Sequence, residues 1–215
     1  TSGSTGLPQP HGKTWGKLVL NGRAEAQALG LLNTGTVLVG TVPVQHSYGF
    51  ESTFLLALHG GCSFWSGKPF YPQDVIDALQ AVPRPRMLVT TPYHLSALLA
   101  SDLNLPALDL CLSATAPLSV ELAEEAERRH GAPVHEIYGS TESSQLACRR
   151  TTSGSAWQLL PGVQLEQCES TTYALAGRHR FARYQLVFRI DQLEPGRSRL
   201  TAETFAIFPG PAGRL

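Results

Sequence analysis

Two short stretches hold residue types that can handle a phosphorylated ligand. The opening Thr1-Ser2-Gly3-Ser4-Thr5-Gly6 packs hydroxyls and glycines together. Glycines let the backbone turn its N–H groups toward an anion, and Ser and Thr add short uncharged donors, so such a loop can wrap a polyphosphate. The same composition also suits a mobile linker. The second stretch is Tyr138-Gly139-Ser140-Thr141-Glu142. It offers an aromatic face for a base, a glycine that permits close approach, hydroxyls for phosphate and a carboxylate for Mg²⁺. Taken alone, it also fits a plain strand-to-helix turn with Thr141 as cap. Gly12-Lys13-Thr14 looks like the second half of a nucleotide-binding P-loop. That pattern fails, because Leu7 stands where its first glycine belongs and Pro8 and Pro10 remove N–H groups that should hold phosphate.

The elements that must position these stretches follow from apolar spacing. Residues 13–32 carry Leu18, Ala26, Leu29 and Leu32 at helical spacing, interrupted by Gly16 and Gly22, and read as one helix or a broken one. Residues 36–44 are β-branched and apolar on both faces, as an interior strand would be. A helix is expected over 71–82, with Val75, Ile76, Leu79 and Val82 on one face and Pro72 near its start. Short buried strands are expected at 86–90, 108–112 and 134–138. Pro92 opens a helix between the first two of these, and Ser119 caps another over 119–130, with early glutamates, late arginines and Gly131 behind it. This alternation predicts an α/β fold, a largely parallel sheet flanked by helices, with ligands beyond the C-terminal ends of the strands.

Composition limits the function classes. The chain has 215 residues, 42% apolar and 16% charged, so it suits one compact domain or two small ones and excludes disorder throughout. Its 17 acids balance 17 bases, which removes the electrostatic drive expected of a nucleic-acid or acidic-membrane binder. No apolar run reaches the roughly 18 residues of a membrane span. Cys62, Cys111, Cys148 and Cys168 are far apart with no C-x-x-C pair, so neither zinc nor a disulfide framework is indicated and a reducing cytoplasm is expected. His11, His59, His94, His130, His135 and His179 show no ligand spacing and read as structural. Met87 is the only methionine, so Thr1 is not a native start and the chain is expected to be a piece of something longer.

The two stretches, in order and about 137 residues apart, resemble the adenylate-forming superfamily: acyl- and aryl-CoA synthetases, luciferases and peptide-synthetase adenylation domains. His46-Ser47-Tyr48-Gly49-Phe50 is similar to the family's His-containing segment beside the acyl pocket. Ser113-Ala114-Thr115-Ala116-Pro117-Leu118 resembles its S-G-G-A-P-L stretch along the adenine, and Leu160-Pro161-Gly162-Val163 its P-G-V segment. The resemblance implies that residues 1–165 are the central part of the AMP-binding domain. It implies activation of a carboxylic acid by Mg·ATP and transfer of the acyl group to CoA or a carrier protein's phosphopantetheine arm, with an acyl carrier protein as a possible partner. Thr1, Ser2, Gly3, Ser4, Thr5 and Gly6 would cradle the β- and γ-phosphates. Thr141 would contact the α-phosphate and Glu142 would ligate Mg²⁺. Tyr138, with Gly139 and Ser140 behind it, would stack on adenine, and Ala114, Thr115 and Ala116 would line it. His46, Tyr48 and Gly49 would border the acyl group; for His46 a satisfied, half-buried imidazole is the plain alternative. Phe50 and Phe54 would suit an apolar or aromatic acid.

The chain departs from the family in places. Gln9 stands where a lysine usually follows the proline, and Lys13 could replace that charge. Residues 166–215 form an atypical basic tail, and its last 45 residues hold seven of the fourteen arginines and no lysine. Residues 184–190 could pair as a strand, whereas the end from Pro209 offers nothing to pack. A shifted reading frame or a degraded gene would explain this tail, and a catalytically inactive nucleotide-binding remnant is the alternative function. With the family's preceding strands missing, the fragment alone is expected to be poorly soluble or marginally folded.

Overall fold

The computed structural model describes residues 12–169, 172–179, 182–194 and 197–207, with side chains over 12–164. The glycine–hydroxyl run Thr1 to Gly6, with Gln9 and His11, lies outside the described residues, as does the end from Pro209. The chain divides into two compact units, Thr1–Pro161 and Gly162–Leu215.

The first unit opens with helix α1 (Trp15–Ala28), capped by the Thr14 hydroxyl, which accepts from Lys17 N–H. Strand β1 (Val37–Gly40) follows, then α2 (Ser47–Gly49), a π-helical stretch (Phe50–Leu55) and α3 (Leu56–Gly60) in direct succession. Next come β2 (Ser63–Phe64), α4 (Pro72–Ala81), β3 (Arg86–Thr90), α5 (Pro92–Leu99), β4 (Leu110–Ser113), α6 (Val120–His130) and β5 (Val134–Ser140). Strands β6 (Ser144–Arg150) and β7 (Gln158–Leu159) close the unit.

These strands form one seven-stranded sheet in the order β2-β1-β3-β4-β5-β6-β7. The first five are mutually parallel, and β6 and β7 add on antiparallel. The expected fold class is therefore the observed one: a mostly parallel sheet flanked by helices. Each helix or strand expected over 71–138 is present, with ends moved by a residue or two. The strand expected over 36–44 stops at Gly40, because Val42 and Pro43 turn away to pack their carbonyls against Gly49. The turn at Thr141 leads into a strand, not a helix.

Register explains why the inner strands lack polar–apolar alternation. Val39, Leu88, Cys111 and Val134 lie in one cross-strand row and pack against α4, α5 and α6 through Val75, Leu79, Leu95, Leu98, Ala123 and Ala126. The alternate row, Leu38, Met87 and Leu110, is equally buried on the other face, the side of α1, the π-helical stretch and α3. Both faces are covered, so nearly every position is apolar. The two edges are two-residue strands, which limits the length of unpaired backbone they present.

The second unit is an antiparallel sheet in the order β11-β10-β9-β8, from β8 (Gln164–Glu169), β9 (Thr172–His179), β10 (Ala182–Glu194) and β11 (Arg197–Ile207). The strand expected at 184–190 lies within β10. In its sequence Tyr184, Leu186, Phe188 and Ile190 alternate with Arg183, Gln185, Val187 and Arg189, the period-2 pattern of an antiparallel strand. No helix among the described residues is long and apolar enough to cross a membrane.

Candidate functional site

Because β1, β3, β4 and β5 run parallel, their C-terminal ends open onto one edge of the sheet. That edge receives residues 41–49 after β1, 114–117 after β4 and 138–142 at the end of β5. Three of the candidate segments are thus collected by topology. Side chains then lock them to one another. Tyr48 donates its hydroxyl to Leu112 C=O at 3.1 Å, tying α2 to β4. Glu136 of β5 accepts from Leu118 N–H at 2.9 Å, tying the segment after β4 to β5. Thr41 Oγ1 lies 3.0 Å from Thr90 Oγ1 and 2.9 Å from His94 Nδ1, which joins the ends of β1 and β3 and partners an imidazole that spacing marked as structural.

In the segment after β4, Ala114 is buried, whereas Thr115 and Ala116 are exposed. Thr115 has φ +78°, a left-handed conformation that costs a β-branched residue on the order of 1–3 kcal/mol. It stands where the similar family stretch carries glycine, the residue for which such a φ is free of strain. Tyr138 is half-buried, and its ring meets Trp157 edge-on with centroids 5.7 Å apart. Partial burial pushes its phenol above the usual range. Arg149 places its guanidinium 4.5 Å from the Trp157 ring centre and pairs with buried Glu136 at 2.5 Å. Thr151 donates to the same carboxylate at 3.0 Å. A single buried carboxylate therefore sets the segment after β4, strand β5 and the support of the Tyr138 ring. Glu136 and Arg149 were not singled out from sequence, although a charge inside the apolar run of 134–138 is the signal that a buried partner exists.

Thr141 and Glu142 are half-buried in the turn between β5 and β6. Ser140 and Ser143 close this turn reciprocally: each hydroxyl accepts from the other's backbone N–H at 3.2 Å. The turn is docked on α1, where Asn21 accepts from Gln145 N–H at 3.2 Å and donates to Gln145 C=O at 2.7 Å. A Cβ on Gly139 would stand 2.3 Å from Ser144 O. This glycine is thus required by the hairpin's own backbone, a reason different from ligand approach. Lys13 gives its ammonium to Glu51 at 2.5 Å and to Ser144 Oγ at 2.8 Å, so its charge is committed to this turn.

In the segment after β1, His46 is exposed and caps α2, its Nδ1 accepting from Tyr48 N–H at 3.3 Å. That bond fixes the tautomer with the proton on Nε2. Tyr48 is buried, with its hydroxyl engaged by Leu112 C=O, and burial pushes the phenol well above its usual range. Gly49 is also explained by packing, because a Cβ there would stand 2.3 Å from Pro43 O. Phe50 and Phe54 stack at 5.6 Å, and Phe54 meets Phe64 edge-on.

The turn carries one carboxylate, an oxygen ligand of the kind a hard cation takes. Glu142 is half-buried between Thr141 and Ser143 in sequence, the Ser140 and Ser143 hydroxyls are engaged in closing the turn, and no cluster of three His, Cys, Asp or Glu able to hold a metal occurs among the described residues. Mg²⁺ characteristically takes one or two carboxylates and completes its shell with phosphate and water, which matches a site with one acid.

The chain is an α/β protein whose mostly parallel sheet gathers a Tyr–Gly–Ser–Thr–Glu turn and a small-residue loop at the ends of its strands. A sequence model of the AMP-binding enzyme family matches residues 1–172, and the chain belongs to that family. It is 30% identical over 162 residues to a 4-coumarate–CoA ligase of Rhodobacter capsulatus, across 75% of this chain and 41% of that protein. The fold is shared with ATP-bound MatB from Rhodopseudomonas palustris, at TM-score 0.68 and 21% identity over 87% of this chain and 38% of that one. It is shared equally with the O-succinylbenzoate coenzyme A synthetase of Bacillus subtilis in complex with ATP and magnesium, at TM-score 0.68 and 23% identity over 82% and 39% of the two chains. The chain thus spans about two fifths of the length of these relatives.

Proposed function

We propose that the protein carrying this chain activates a carboxylic acid with Mg·ATP and passes the acyl group to a thiol, that of CoA or the equivalent pantetheine arm of a carrier protein. An acid oxygen attacks the α-phosphorus, the bond to the β-phosphate breaks, and pyrophosphate leaves. A thiol sulfur then attacks the acyl carbon, AMP departs and the thiol proton is released. The chain's own residues meet the problem that a carboxylate must approach a polyanion. Thr141 donates to the α-phosphate, and Ala114 to Ala116 with the Tyr138 ring hold the adenine. His46 keeps an Nε2 proton available beside the acyl group, with Tyr48 and Gly49 as wall. Glu142 is the residue that would hold Mg²⁺, which when bound lowers the repulsion between the reacting anions. The observation that carries this reading is the delivery of residues 41–49, 114–117 and 138–142 to one edge of the sheet by β1, β4 and β5. The relatives' shared printed activity, CoA ligation, supports the same class. Cys62, Cys111 and Cys148 are free thiols, which suits a reducing compartment such as the cytoplasm.

A second reading, nucleotide binding without turnover, is favoured by Gln9 and by the commitment of Lys13 to Glu51, which together leave the phosphates without the family's usual cation. Exchange of labelled pyrophosphate into ATP across a panel of apolar and aromatic acids decides between the two. Acid-dependent exchange is expected, reduced about 100-fold in Glu142→Gln, the scale of losing one electrostatic contact to a transition state. ATP affinity without exchange selects the second reading, and absence of both removes the two together.

A further inference from the structure

We propose that Lys13 and Glu51 form a clasp that positions the two halves of the site relative to each other, an inference that rests on the acid-activating reading above. Glu51 belongs to the π-helical stretch directly behind α2, and its side chain is only 4% exposed. Its Oε1 accepts from Ser47 Oγ at 2.8 Å and from the Lys13 ammonium at 2.5 Å. The same ammonium donates to Ser144 Oγ at 2.8 Å. Three segments distant in sequence therefore meet at one cation: the chain just before α1, the α2 segment that begins at His46, and the hairpin that carries Thr141 and Glu142.

Stability alone gives little reason for this arrangement. A buried ion pair gains about as much from attraction as it loses in desolvation, and apolar side chains of similar volume commonly serve as well. An ammonium differs from a packed methyl group in that its donors must lie within hydrogen-bond distance of specific oxygens, so it fixes separations. Ser144 holds φ +62°, and its carbonyl accepts from the Ser143 hydroxyl that closes the turn. Fixing Ser144 thus fixes the turn. At the other end, Ser47 and Glu51 bridge one helical turn, so holding Glu51 holds α2 behind His46. Lys13 acts at one remove from the phosphates: it does not replace the charge missing at Gln9, and it sets where the acyl segment stands against the Thr141–Glu142 turn. Both are positioning residues.

The test uses Lys13→Met, Glu51→Gln and the double variant Lys13→Met/Glu51→Leu in the protein carrying this chain. Both single variants are expected to lower the kcat of pyrophosphate exchange at least tenfold, with the KM for ATP changed less than about threefold, since misplacement by an ångström costs rate before affinity. In Lys13→Met, amide hydrogen exchange is expected to accelerate at least tenfold in both 46–52 and 139–145, with β3 and β4 unchanged. The double variant should recover the thermal midpoint without recovering kcat. Wild-type kcat in the double variant, or unchanged exchange protection in either segment of Lys13→Met, overturns the clasp. Should Lys13→Met fail to fold, the double variant and Lys13→Arg decide by the same two readouts, with protection retained in Lys13→Arg and lost in the double variant. If the wild type shows no pyrophosphate exchange with any acid, the proposed function fails, and the amide measurement still decides the clasp separately.

Discussion

Glu25 lies wholly buried on α1, and neither of its carboxylate oxygens meets a well-formed hydrogen bond. Burial pushes its carboxyl up to about 8; the nearby Glu51 adds to the rise, and the Ser52 hydroxyl opposes it. The folded protein therefore holds a proton between pH 4.5 and about 8 that the unfolded chain has released. Stability must fall as pH rises through that window and level off above it, with each pH unit contributing at most about 1.4 kcal/mol. Glu25→Gln is expected to be more stable than the wild type by on the order of 3 kcal/mol at pH 8.5 and nearly equal to it at pH 4.5. Urea unfolding across this range measures the difference, and parallel curves for the two proteins would refute the assignment. Nothing in the sequence distinguished Glu25 from the solvated acids of other helices, because its burial is decided by what packs on α1. The same holds at the site. Tyr48 and His46 were legible as residue types in a motif, but the Leu112 carbonyl that consumes one and the Tyr48 N–H that caps the other are tertiary partners.

The β5–β6 hairpin shows how an element sets chemistry. Its register shifts by a bulge at Tyr138/Gly139, so Tyr138 faces Ala147 while Gly139 faces Gln145. A bulge re-aims the residues beyond it, here Ser140 to Glu142. Gly139→Ala would drive a Cβ into the Ser144 carbonyl and to 2.9 Å from Gln145 Cα, both of them backbone atoms that cannot swing aside. A cost of roughly 1–3 kcal/mol in stability is expected, with pyrophosphate exchange lowered at least tenfold because Thr141 and Glu142 move with the turn. Unaltered exchange in a folded Gly139→Ala protein would show that the turn's position is immaterial. The parallel half of the sheet was legible because helix caps and doubly buried apolar runs are local signals. Strand β6 was not, since residues Ser144 to Cys148 are all buried with no alternation to mark them, and the π-helical stretch left no signature in Phe50 to Leu55. Strands β9, β10 and β11 pair as successive hairpins, His179 facing Ala182 and Glu194 facing Arg197, a local arrangement hidden behind a composition that draws the eye to arginine.

At the scale of the whole chain, the described candidate residues, His46 to Glu142, all fall in the first unit. Its three tryptophans, Trp15, Trp65 and Trp157, are all those of this 215-residue chain, so indole fluorescence of the chain reports that unit alone. A ligand that binds the folded state raises its stability by mass action, about 2.7 kcal/mol at a hundredfold excess over Kd. In a unit of this size that corresponds to a rise of roughly 5–10 °C in the midpoint. Mg·ATP at saturation is therefore expected to shift the fluorescence-detected transition upward by that amount. Because Glu142 is the residue assigned to the cation, the shift should shrink when Mg²⁺ is chelated and in Glu142→Gln. A transition indifferent to Mg·ATP would contradict nucleotide binding by the first unit, and a full shift in Glu142→Gln would contradict the assignment of the cation to that turn.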